Sequence, residues 1–162
     1  MEALHYPGCI AELYSSEIFG EKISLAMLPW AKSSEERWKL GTIAQLETET
    51  KARLRPFLVK HGISIAEQDV SGPVAELLPV LTAGTWTDFV RGMNSDLQRF
   101  LDVFKKIEEI GPEEDRDILH SMVVHEQALI TFTERELAGD GEHSLDDVIA
   151  QLSYPLPRPT PD

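Results

Sequence analysis

Apolar residues recur at steps of three and four along most of the chain, with polar residues between them. Ile10, Leu13, Tyr14, Ile18, Leu25 and Leu28 form the first stripe. Its period predicts an amphipathic helix over residues 10–28, ended by Pro29. Ser33 or Ser34 can cap a second helix, with Glu35 and Glu36 favourably placed in its first turn. Trp38, Ile43, Leu46, Thr50, Leu54 and Phe57 share its inner side, and Gly62 is its stop. A third helix opens at Thr85, with Asp88 three positions on as a reciprocal cap. It carries Phe89, Val90, Met93, Leu97, Phe100, Phe104 and Ile107, an aromatic-rich stripe read as core. After Gly111-Pro112 a fourth helix is expected over residues 113–138, with Ile118, Leu119, Met122, Leu129, Ile130 and Leu137 inward.

The pattern breaks in two places. Residues 63–84, "ISIAEQDVSGPVAELLPVLTAG", contain Gly-Pro and a second Pro, which predicts a crossover with at most one short helix near 74–78. Past Gly139 comes a short helix that Ser144 can cap, then "SYPLPRPTPD", expected to be extended with no core of its own. The order is hairpin, long connection, hairpin. It predicts an all-α four-helix bundle over residues 1–138, with 139–162 as a short helix and proline-rich tail.

Composition narrows the function classes. A chain of 162 residues with 42% hydrophobic content suits one domain with a substantial core. The formal net charge is −13, and the densest basic stretch, Lys51, Arg53 and Arg55, is enclosed by acids. Binding to nucleic acid or to an anionic membrane is therefore not expected. The single cysteine, Cys9, allows no internal disulfide and fits a reducing cytoplasm. No signal-peptide pattern is visible, and no apolar run approaches the roughly 20 residues of a membrane span.

The candidate chemistry lies in carboxylates that interrupt the stripes. Glu47 is in step with Ile43, Thr50 and Leu54; Glu126 is in step with Met122, Leu129 and Thr133; Glu17 and Glu21 fall between Tyr14 and Leu25. A buried carboxylate must be protonated, paired or bound to a cation. Mirroring the first hairpin about its turn brings Glu47 opposite residues 15–17, so Glu17 faces it, with Glu21 one turn away as the alternative. The same construction places Leu97 opposite Glu126. His125, about 100° round the helix from Glu126, is expected at the helix shoulder. Lys51 and Arg53 can instead pair along the helix with Glu47 and Glu49, and His120 can pair near Asp117.

The stretches "AQLETETKARLRPFL" and "MVVHEQALITFTEREL" resemble the second and fourth helices of ferritin-like di-iron carboxylate proteins. The resemblance spans roughly residues 10–138. It implies a ferritin-like bundle in which one Glu from each of two helices, and Glu-x-x-His from each of the other two, hold two irons. Glu47 and Glu126 match the Glu of that motif, but Thr50 and Leu129 stand where its His belongs. A zincin His-Glu-x-x-His pattern starting at His125 fails at the same Leu129. The expected ligand set is thus reduced to Glu17, Glu47, Glu126 and His125, with iron or another divalent metal as the candidate cofactor. Two functions remain open: a binding or interaction module without a full di-iron centre, and a metal-dependent oxidoreductase or oxygenase. A small molecule in the bundle core is a candidate ligand. Trp30, Trp38 and Trp86, near helix ends, are candidate anchors for a homodimer.

Overall fold

The computed structural model describes residues 5–160. These residues form six α-helices and no strand. They are α1 (Tyr6–Met27), α2 (Ser34–Lys60), α3 (Ser71–Leu81), α4 (Trp86–Ile110), α5 (Arg116–Leu137) and α6 (Asp146–Ile149), with 3-10 turns at Leu28–Trp30 and Glu113–Asp115. No helix among them is long and apolar enough to cross a membrane.

Local chemistry accounts for the helix ends. Ser33 caps α2 by accepting from the Glu36 backbone N–H at 3.0 Å. Thr85 and Asp88 form a complete capping box at the start of α4. Three boundaries differ from the sequence expectation. α1 starts four residues earlier than 10, because Pro7 is in its first turn, where a missing N–H leaves no bond unmade. α3 runs from Ser71 to Leu81, well beyond 74–78, with Gly72-Pro73 in its first turn and Pro79 inside it. Ser144 does not cap the last helix; its hydroxyl donates to the Gly141 carbonyl at 3.1 Å, and Leu145 is the cap residue.

Cross-helix bonds give the pairing. Arg55 Nε donates to the Tyr14 hydroxyl at 3.4 Å, and Lys51 Nζ donates to Glu21 at 2.7 Å. In the second pair His120 meets Glu108 at 2.8 Å, and Asn94 donates to Thr133 at 2.6 Å. Residue numbers rise on one helix as they fall on the other, so α1–α2 and α4–α5 are antiparallel hairpins. His120 is thus held across the hairpin by Glu108, not along its helix by Asp117. The core draws on both hairpins, and Leu145 and Val148 are buried in it. A smaller apolar cluster, Met27, Ala31, Leu40, Phe89 and Val90, closes one end beneath the Trp30 and Trp86 rings, whose centroids are 6.4 Å apart.

The proline-rich tail lies along α2. Glu49 accepts the backbone N–H groups of Ser153 and Tyr154 at 2.6 and 3.0 Å, and so is not committed to Arg53. Trp38 Nε1 donates to the Leu156 carbonyl at 3.2 Å, and Arg158 stacks over the Trp38 ring. Trp30 and Trp86 also bond within the chain, to the Thr82 carbonyl and to Glu136.

Asp115 ties three segments together at the far end of the helical core. It is 1% exposed and accepts from the Tyr6 hydroxyl and from His61 Nε2, each at 2.8 Å, and from Lys60 Nζ. Burial alone would raise its pKa, but these donors hold it below the usual carboxylate range. Asp115→Ala should cost about 2 kcal/mol in urea unfolding, the scale of a charge-assisted hydrogen bond discounted for the half-exposed Lys60. A loss under about 0.5 kcal/mol, the scale of ordinary surface substitutions, contradicts this role.

Candidate metal centre

Glu17 of α1, Glu47 of α2 and His125 of α5 meet inside the core. Each offers one donor atom, and the three atoms lie within 4.8 Å of one another. His125 Nε2 is 3.4 Å from Glu17 Oε2 and 3.6 Å from Glu47 Oε2. Its other ring nitrogen, Nδ1, is 3.2 Å from the Thr50 hydroxyl, which also accepts from Arg53 at 3.4 Å. All three residues are buried.

Lys51 explains why Glu47 points inward. The expected pair along the helix does not form, because Lys51 reaches Glu21 at 2.7 Å and Glu67 at 2.6 Å. Glu21 also accepts from Thr48. Burial pushes the Glu21 pKa up, and these donors bring it below the usual value. Glu21 therefore has its own partners, and it is Glu17 that lies in the cluster of three.

His125 differs most from its expected place. It is 1% exposed and central rather than at the helix shoulder beside an inward Glu126. α5 packs against α2 and α6 as well as α4, so a wide arc of its surface is buried. His125 faces the α1–α2 hairpin, and the neighbouring Glu126 remains inside without joining the cluster of three. Glu126 is 4% exposed, and its Oε1 has no hydrogen-bond partner. Glu17 Oε2 is unpartnered as well.

The electrostatics follow from burial. It pushes Glu17 up to about 8, although a hydrogen bond with Glu47 works against the rise. Glu47 is raised well above the carboxylate range by burial and then by the charge of Glu17. Glu126 is raised to about 8 by burial and the charge of Glu47. His125 is lowered to about 3 by burial, with Arg53 adding to the effect. Without a cation the site is held as near to neutral as its protons allow.

Gly20 is a site residue that the helical pattern did not reveal. A Cβ at this position would lie 2.7 Å from the Glu47 carboxyl carbon and 2.8 Å from its Oε1. A mid-helix Gly costs about 1 kcal/mol relative to Ala, and here it gives Glu47 room against the α1 backbone.

A cavity of about 370 Å³ adjoins the cluster, with Glu17, Glu47, Glu126 and His125 on its wall. Phe89, Met93, Phe100, Phe104 and Leu129 line much of the remainder, and Leu77 and Leu81 of α3 also border it. The aromatic stripe of α4, read as core, thus serves two roles: Phe89 and Phe104 are buried in core clusters, and with Phe100 they form cavity wall.

No protein-family model matches the chain, and neither the curated proteins nor the solved structures yield a match.

Proposed function

We propose that the chain is a ferritin-like four-helix bundle that binds one divalent transition-metal ion through Glu17, Glu47 and His125 and presents it to an apolar cavity. The observation that carries this reading is the convergence of three donors from three helices in the core, with no Lys or Arg paired to either carboxylate among the described residues. The donor spacing suits one ion. Metal–ligand bonds of about 2.1 Å in a tetrahedral arrangement put donors about 3.4 Å apart. The nearest observed separations, 3.4 and 3.6 Å, need little movement to meet that geometry. Two carboxylates and an imidazole suit Fe²⁺, Mn²⁺, Co²⁺ or Zn²⁺. In the bound form Nδ1–H of His125 donates to Thr50, which fixes the tautomer that leaves Nε2 free for the metal.

The residues present do not fit the six-ligand pair of irons that the resemblance implies. Thr50 is engaged with His125, Leu129 is buried and apolar, and so is Leu97 on α4. A second ion would have Glu126 and little else. Metal analysis after loading with Co²⁺ and desalting tests the reading: one ion per chain is expected, and two or none contradicts it.

Gly20→Ala separates site geometry from helix stability. It should weaken Co²⁺ uptake at least tenfold by displacing Glu47, while the apo-protein melts no lower because Ala favours helix. Unchanged uptake contradicts the assigned role of Gly20.

One observation favours a second reading, a metal-dependent oxidoreductase. Three protein donors leave coordination positions open, and the cavity adjoins them. An Fe²⁺-loaded protein that consumes dioxygen no faster than the same concentration of free Fe²⁺ argues for the binding module.

A further inference from the structure

Glu126 has no part in the three-donor cluster, yet its carboxyl is buried, lines the cavity, and has an oxygen without a partner. Burying such a group costs about 1–3 kcal/mol, so its retention among Phe104, Leu97 and Leu129 calls for a partner. None is present for its Oε1 among the described residues. The cavity wall contains Glu12, Glu17, Glu47, Asp96 and Glu126, and no Lys or Arg among the described residues. Glu12 and Asp96 are exposed and add negative charge toward solvent.

These features select a ligand class. The apolar wall suits a hydrocarbon body. At the roughly 30 Å³ that a water occupies in the liquid, the cavity takes about a dozen non-hydrogen atoms. The head group must satisfy Glu126 without bringing in negative charge, because no cationic side chain waits for it. A carboxylate or phosphate head fails on that count. An ammonium head suits the sign of the wall, but must shed its hydration to form a buried pair, a cost that attraction often fails to offset. A hydroxyl both donates and accepts, so it bonds to Glu126 whether that carboxyl is protonated or ionised.

We propose that the cavity binds a small, largely apolar alcohol, with its chain along the α4 aromatic wall and its hydroxyl held by Glu126. The proposal rests on the reading of this cavity as a metal-facing binding site, but the hydroxyl contact itself is to Glu126. The ligand therefore points its polar end toward the Glu17–Glu47–His125 cluster and its hydrocarbon away from it.

Isothermal titration calorimetry with 1-octanol, octanoate and octylamine tests the inference, on both metal-free and Co²⁺-loaded protein. The expected result is 1-octanol binding at least about tenfold tighter than either charged analogue. Glu126→Gln, which keeps a donor and an acceptor, should stay within about threefold of the wild type. Glu126→Leu should bind 1-octanol about tenfold more weakly, the scale of one buried hydrogen bond. The proposal is overturned if octanoate or octylamine binds as tightly as 1-octanol, if none binds at millimolar concentration, or if folded Glu126→Leu retains full affinity. If Glu126→Leu does not fold, the head-group ranking on the wild-type protein decides alone. Octanol binding with no Co²⁺ uptake would retire the metal reading and leave this one standing; Co²⁺ uptake without octanol binding would do the reverse.

Discussion

Glu47→Gln is expected to abolish metal uptake while leaving the helices folded. The carboxyl of Glu47 supplies one of three donors, and an amide is a poor replacement for an anionic ligand. Loss of a residue that only orients a ligand costs roughly 10–100-fold in affinity, so loss of the ligand itself should exceed 100-fold. The fold should not suffer. Glu47 faces Glu17 with no Lys or Arg paired to either among the described residues, and both carboxyls are raised by burial. A neutral amide removes one ionisable group from that pair, so the metal-free variant should be more stable than wild type at pH 8, by about 1–3 kcal/mol. Structural carboxylates show the opposite pattern: Asp115→Ala removes an anion that has three donors. Co²⁺ titration monitored by visible absorption, with urea unfolding of the metal-free forms, measures both effects. Metal affinity within tenfold of wild type, or a variant that unfolds more easily at pH 8, contradicts the assignment.

Metal-free protein is expected to lose stability as pH rises from 6.5 to 8.5, and metal-loaded protein to gain it. Glu17 and Glu126 have folded-state values of about 8, against roughly 4.3 in an unfolded chain. Their contribution to stability is complete below the unfolded value and is lost as pH climbs through the folded one. His125 acts in the other direction. Its folded value of about 3 lies below the unfolded value of roughly 6.5, so its contribution is present above that pH and lost as pH falls. Between pH 6.5 and 8.5 the histidine contribution changes by only about 0.4 kcal/mol and the glutamates set the slope, at most about 1.4 kcal/mol per pH unit for each proton involved. The carboxylates with lowered values, Glu21, Glu49, Glu67 and Asp115, titrate only in acid and do not mask it. A bound divalent cation reverses the trend, because the ligands must be deprotonated to coordinate it. Thermal melts across this range, with and without saturating Co²⁺, should therefore diverge as pH rises. Parallel profiles would mean that the glutamates are not the titrating pair.

The sequence and the structure agree where local chemistry decides. Ser33, Thr85 and Asp88 announce helix starts through side-chain bonds to nearby backbone, and the three- and four-residue steps locate the helices between them. α3 was harder to read, because a proline in the first turn is harmless and the same residue elsewhere breaks a helix. The candidate site was partly legible. Glu17 and Glu47 follow from the stripe and from reflection about the first turn, since that hairpin is nearly regular. His125 is among the expected ligands, but its central place does not follow, because helix phase alone cannot tell that α2 and α6 bury a second side of α5. Gly20 is invisible without the Glu47 carboxyl beside it. The cavity is invisible for a different reason: Phe100, Phe104 and Leu129 have the same composition whether they fill a core or line a void.

The central claim is that one metal ion is held by two glutamates and a histidine from three helices. Anomalous diffraction from a crystal of Co²⁺-loaded protein, collected at the cobalt edge, tests it most directly. The account predicts a single peak within about 2.3 Å of Glu17, Glu47 and His125 Nε2, with Glu21 still bonded to Lys51. Two peaks bridged by Glu47 and Glu126, or one peak away from His125, would contradict it.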